Sequence, residues 1–182
     1  MSYVAGHFTC YFSLTSGSAA ASYTYIGSSR EGYKHRERIH SQPVIDDSGG
    51  EAEVDAIQQG VDVSVDFDYI EYDLFKTVLY SATTGAQIQM GLIKANVGKR
   101  LTDLAGVLVL TPKPGTPAEA EIGVGMSRIY YKAVIADDID VPLASKLRQG
   151  PAKFKCYPDS TNSNKTWAIG STPTGVSGST ND

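Results

Sequence analysis

The residue pattern predicts a mainly β protein: a β-sandwich or small barrel of about seven or eight strands, with one flanking α-helix and a long loop or arm. Three observations carry that expectation. Over residues 60–69, Val61, Val63, Val65, Phe67 and Tyr69 alternate with Asp62, Ser64, Asp66 and Asp68. This is the period of two that places apolar side chains on one face of a strand and carboxylates on the other. The chain also holds 11 Tyr, 18 Gly and 8 Pro, a mixture of strand formers and turn formers. Residues 28–50, finally, are polar and charged and end in Asp46-Asp47-Ser48-Gly49-Gly50. A structureless connection of that length is uncommon inside a compact domain, so the segment reads as an extended hairpin or an arm that orders against a neighbour.

The elements follow in order. Residues 4–14 form a first strand, with Phe8, Cys10, Phe12 and Leu14 alternating with His7, Thr9, Tyr11 and Ser13. Tyr23-Thr24-Tyr25-Ile26-Gly27 forms a second, and the alternating stretch 60–69 follows the charged segment. The period then changes. Ile70, Leu74 and Val78, with Phe75 and Leu79 beside them, recur at helical spacing and predict a helix over 69–80 that ends near Gly85. Further strands are predicted at 86–93, at 105–111 before the Pro112-Lys113-Pro114-Gly115 turn, at 122–135 and at 153–157, with Pro142 marking a break. Residues 170–182 are Gly/Ser/Thr-rich without periodicity and read as a flexible tail behind one domain spanning 1–169.

A chain of 182 residues is long enough to bury a core. With 41% apolar and 20% charged residues it does not have the composition of a disordered protein. The formal net charge is −4, which disfavours tight, phosphate-neutralising DNA binding. Cys10 and Cys156 lie in apolar or aromatic surroundings and read as two buried free thiols. The first residues show no basic region followed by an apolar core, so no secretory signal is expected. Nor does any apolar run approach the roughly 18 residues of a membrane helix.

Catalytic signatures are missing from the sequence. It contains no Gly-x-Ser-x-Gly elbow, no phosphate-binding loop and no Cys-x-x-Cys pair. His35 and His40 lie five apart, unlike a helical zinc pair, and His7 stands alone. Asp46, Asp47, Glu51 and Glu53 form an acidic cluster without the spacing of an EF-hand, and a solvated loop accounts for it. Asn164-Lys165-Thr166 matches a glycosylation sequon only by its three letters. The expectation is a protein that is not an enzyme and holds neither cofactor nor metal. Two features remain. Asp62, Asp66 and Asp68 are either the solvent side of a sheet or an acidic wall that lets a DNA duplex slide past. Arg30, Lys34, Arg36 and Arg38 are interleaved with Glu31 and Glu37, which suits an inter-subunit arm better than a nucleic-acid patch.

From Ile45 to Gly60 the chain resembles the tail tube, or major tail, proteins of long-tailed bacteriophages. These carry a polar loop, a Gly-x-x-x-Val-Asp-x-Ile-like turn, then an alternating strand and an amphipathic helix. Gly50 with Val54-Asp55-Ala56-Ile57, and then 61–73, continue in that manner, and Gly106-Val107-Leu108-Val109-Leu110-Thr111-Pro112 fits the later part. Ala52-Glu53 stands where the family often places a Pro, and the tail 170–182 has no counterpart. The resemblance spans roughly residues 4–158. It implies a β-sandwich whose six copies close a ring and whose rings stack into a hollow tube for DNA ejection. The chain would then work in the virion tail after assembly in the host cytoplasm. Its partners would be itself and the sheath, terminator, baseplate and tape measure proteins, with DNA passing through the lumen and no membrane involved. Asp62, Asp66 and Asp68 would face the lumen, and Arg30, Lys34, Arg36, Arg38, Asp46 and Asp47 would belong to the inter-subunit arm. Another ring-forming phage part (tail terminator, neck or baseplate protein) shares the same texture, and a carbohydrate-binding β-sandwich is a further alternative because Tyr is abundant.

Overall fold

A computed structural model of the chain describes residues 2–4, 7–13, 23–29, 32–46, 52–71, 80–83, 86–89, 98, 100–103, 105–135, 149–174 and 176. Its strands are β1 (Ser2–Val4), β2 (Phe8–Ser13), β3 (Thr24–Ser29), β4 (Tyr33–Asp46), β5 (Ala52–Glu71), β6 (Tyr80–Thr83) and β7 (Ala86–Gln89), then β8 (Gly106–Pro112), β9 (Met126–Ile135), β10 (Gln149–Tyr157) and β11 (Trp167–Ser171). One short helix, α1 (Pro117–Ile122), lies between β8 and β9. The fold is mainly β, as the sequence predicts. Eight antiparallel strands pair in the order β1-β4-β5-β10-β9-β8-β2-β3, β11 adds beside β9, and β6 pairs with β7 apart from them.

The large sheet closes on itself. β5 pairs with β10, β10 with β9, β9 with β8, β8 with β2 and β2 with β3, and β3 returns to β5 where Gly27 lies opposite Ile70. Closure gives these strands partners on both edges, which an open sheet cannot do. Alternation decides what lies inside. Val63, Val65 and Phe67 of β5 meet Ala152, Phe154 and Cys156 of β10, Phe8, Cys10 and Phe12 of β2, and Leu108 and Leu110 of β8. Phe12 and Phe154 stack at 5.9 Å, and Phe8 meets Tyr33 edge to face at 4.8 Å. Ala118 and Ile122 of α1 join the same cluster. Gly106 at the head of β8 is required by space, because a Cβ there would stand 2.2 Å from the carbonyl oxygen of Ser13.

The outer faces differ from side to side. On β2, β8 and β9 the outside is apolar too, with Tyr11, Val107 and Val109 packed with Val176 and flanked by Tyr23, Tyr25 and Ile129. On β4, β5 and β10 the outside is charged. There β4 and β5 also run on past the barrel. β1 pairs with β4 only at Tyr33, Lys34 and His35, and β10 pairs with β5 only from Val63 onward. Beyond those points, from Arg36 to Asp46 and from Ala52 to Asp62, β4 and β5 pair with each other alone among the described strands. The result is a two-stranded ribbon about 33 Å long, at about 3.3 Å per residue.

Several boundaries differ from expectation. The segment 28–50 is largely strand, since β4 takes up 33–46, and the strand expected at 60–69 is the distal-to-proximal half of a 20-residue β5. Residues 69–71 of the expected helix belong to β5, where Ile70 and Glu71 pair with Gly150 and Gln149, and Tyr80 begins β6. The remainder, 72–79, lies outside the described residues. Pairing to β10 outcompetes the helical period at its first turn. The strand expected at 122–135 begins only at Met126, because Pro117 at the first helical position starts α1 and Gly123 (φ 113°) ends it. Residues 170–171 complete β11, Thr172 N–H donates to the carbonyl of Gly125, and Val176 is buried, so the folded body reaches beyond 169. Residues 177–182 lie outside the described residues.

Candidate functional site

The ribbon and its root are where the sequence-predicted residues converge. Even-numbered residues of β5 point away from the core, so Asp62 and Asp68 are exposed and Asp66 is half-buried on the outer face. Residues directly opposite one another in a sheet share a face. Asp62 lies opposite Arg38, Ser64 opposite Arg36, and Asp66 opposite Lys34. On the other side of β5, Lys153 lies opposite Asp66 and Lys155 opposite Ser64. Asp66 therefore stands between Lys34 and Lys153, Ser64 between Arg36 and Lys155, and Asp62 beside Arg38. His40 Nε2 lies 2.6 Å from Asp62 Oδ2. That hydrogen bond, with the charges of His40, Lys155 and Arg38, holds the Asp62 carboxyl below its ordinary value. Counted together, the face carries more positive than negative side chains.

Of the expected arm residues, Lys34, Arg36 and Arg38 sit on this outer face. Asp46 ends β4, while Arg30 and Asp47 lie outside the described residues. The sequence segment that contains the distal strands has the opposite sign. Residues 39–60 contain Asp46, Asp47, Glu51, Glu53 and Asp55 and no Lys or Arg. The whole chain is −4, so everything outside this segment sums to +1. The ribbon also exposes apolar side chains: Ile39 is 65% exposed, Ile57 62% and Val61 41%, with Ile39 and Val61 directly opposite each other.

A clasp that sequence reading missed fixes the ribbon's root to the barrel. Glu37 accepts a hydrogen bond from the indole N–H of Trp167 and lies 3.1 Å from His35 Nε2. His35 Nδ1 lies 3.0 Å from the hydroxyl of Tyr130. Both contacts are satisfied at once if neutral His35 carries its proton on Nε2, donates it to Glu37 and accepts from Tyr130. Burial would raise the Glu37 carboxyl, but the hydrogen bonds from Trp167 and His35 outweigh it and hold the group below its usual range. Burial pushes the His35 imidazole down. Arg128, itself buried, stacks its guanidinium 4.8 Å from the Trp167 ring and 5.6 Å from that of Tyr33. Burial lifts the Tyr33 hydroxyl to about 12, against the lowering effect of Arg128. Glu37 and Trp167 are 130 residues apart, and no local spacing joins them.

Both cysteines are free and buried. Desolvation raises both thiols, that of Cys156 to about 12, so neither offers a thiolate at neutral pH. Among the described residues no three His, Cys, Asp or Glu side chains gather as a metal site would need, and no helix is long and apolar enough to cross a membrane. What the arrangement provides is a surface: a charged face, a ribbon whose two outer edges have no partner among the described strands, and apolar side chains in water.

No family model, curated protein or solved structure matches the chain.

Proposed function

We propose that this chain is a structural subunit that polymerises with copies of itself into a hollow tube, the tail tube of a long-tailed bacteriophage, through which DNA leaves the particle. The observation that carries the self-assembly is the ribbon. A two-stranded hairpin is marginal alone in water, and this one extends about 33 Å from the barrel with Ile39, Ile57 and Val61 exposed. Long unpaired edges invite another chain to pair. β4 carries Pro43, which blunts its edge, whereas β5 has no proline from Ala52 to Asp62. A neighbour that supplied the missing contacts would remove both the edge and the exposed apolar surface. The assignment of that polymer to a phage tail rests on the resemblance of residues 45–73 and 105–112 to tail tube proteins, and a repeating barrel with a projecting ribbon suits the job.

Negative-stain electron microscopy of the concentrated pure chain tests this reading. Long hollow tubes are expected. Discrete rings that do not stack would favour a terminator, neck or baseplate part, and a compact monomer at every concentration would sink the proposal.

A further inference from the structure

We propose that the outward face of β4, β5 and β10 at the ribbon's root is the receiving surface for the acidic distal half of the ribbon of a second copy of this chain. The inference rests on the self-assembly reading and names the surface that completes it. Lys34, Arg36 and Arg38 form one row on that face, and Lys153 and Lys155 form the other. All but Lys34 are exposed. The same face carries Asp62, Asp66 and Asp68, so five cations outnumber three carboxylates there. Residues 39–60 contain five carboxylates and no Lys or Arg, and three of the five, Asp46, Glu53 and Asp55, belong to the described strands. Opposite charge is thus segregated along one continuous pair of strands, basic at the root and acidic at the tip.

Geometry makes the pairing intermolecular. β4 and β5 are paired from Tyr33 opposite Phe67 to Asp46 opposite Ala52. A ribbon of that length holds its tip about 25 Å from its own basic rows, well beyond a Debye length of about 8 Å at physiological salt. Where the tip of one copy meets the root of the next without being reciprocated, the contact is heterologous and head-to-tail, the kind that generates rings or open filaments rather than closed dimers. Exposed ion pairs contribute little singly, but two rows of cations facing a run of carboxylates fix register and speed encounter. Contact there would also cover Ile57, which the register shift beyond Gly60 turns to the same face as Asp62. This role replaces the bore-lining one for Asp62, Asp66 and Asp68, because a face with five cations attracts phosphates instead of letting them slide.

The experiment follows assembly of the full chain by sedimentation velocity and electron microscopy at low and high salt. Two double variants are used, Lys153→Glu/Lys155→Glu at the root and Asp46→Lys/Asp55→Lys at the tip. Circular dichroism and thermal melting confirm that each stays folded. Each variant alone is expected to need about tenfold more protein to assemble, a change worth about 1.4 kcal/mol. Mixed one to one, they restore assembly, since the acidic root of one accepts the basic tip of the other. If the parent polymerises and the folded variants do so equally well, or if the mixture fails to recover, this docking is wrong while the polymer reading stands. If root reversal abolishes retention of duplex DNA and leaves assembly untouched, the face belongs to a polyanion and the inference is overturned. A parent that never polymerises overturns both.

Discussion

The barrel and the ribbon are made from the same two strands, yet they obey different physics. In the barrel half of β5, Val63, Val65 and Phe67 are buried, and each edge of the strand has a partner. In the ribbon half, Val61 and Ile57 stand in water and β5 pairs with β4 alone. Alternation also breaks in the ribbon, where the β4–β5 register shifts at His40/Ser41 and at Val44/Ile45. Neighbours change: β10 and β3 complete one end, and none of the described strands completes the other. Burial, not propensity, stabilises a strand, so among the described strands the ribbon would gain most from a partner.

Hydrogen exchange should show the largest contrast. Barrel amides such as those of Val65, Leu108 and Phe154 should exchange only through global unfolding, typically 5–15 kcal/mol for a domain. Amides of residues 39–46 and 52–61 should open for about 0–1 kcal/mol in the monomer and become protected on assembly. Equal protection in both regions of the monomer would remove the distinction. Next in size is truncation. Phe154→Ala should destabilise the monomer by about 3–5 kcal/mol, while Ile57→Ala should stay within about 0.5 kcal/mol and weaken assembly instead. Chemical denaturation of each variant checks the pair, and similar losses would mean that Ile57 is packed in solution.

A smaller effect is expected from Gly106→Ala. Its new methyl would press on the Ser13 carbonyl and the Phe12 ring, costing about 1–3 kcal/mol. Gly60→Ala, at a ribbon position with open space around it, should cost little. The smallest effect concerns acid. Hydrogen bonds hold Asp159 and Glu37 below their ordinary values despite burial, in Asp159 from Asn162, Thr161 and Lys132. Carboxyls depressed in the folded state stabilise it above their unfolded values near about 4, and that contribution is lost as pH falls through the folded ones. His35 acts in the same direction. Its folded value is depressed, so the unfolded chain takes up the proton first as pH drops below about 6.5. The melting temperature should therefore fall from pH 7 to pH 3, and Glu37→Gln should flatten part of that slope. A profile unaffected by the substitution would mean the clasp adds nothing to stability.

Much of this could be read from the chain itself. The alternation of 61–69, of Phe8, Cys10 and Phe12, and of Ala152, Phe154 and Cys156 against Lys153 and Lys155 places side chains inside or outside a β structure without any tertiary knowledge. The polar stretch 28–50 was legible as a hairpin or arm for the same reason: it lacks the apolar face a core strand needs. Helix α1 was legible in principle from Pro117 at its start, but its six residues are too few to show a period. The beginning of the expected helix at 69–71 was misread because Ile70 and Glu71 fit either period locally, and only the partner β10 decides between them.

The amino-acid order by itself determined a β protein with one strongly alternating strand, a charged arm and no catalytic constellation, because those properties are written in neighbours two or four positions apart. Tertiary structure decided the rest. Closure of the barrel at Gly27 and Ile70, the clasp between Glu37 and Trp167, and the two rows of cations around Asp62 and Asp66 all join residues remote in sequence. Such pairings depend on which edges meet when the sheet twists shut, and no local periodicity encodes that choice.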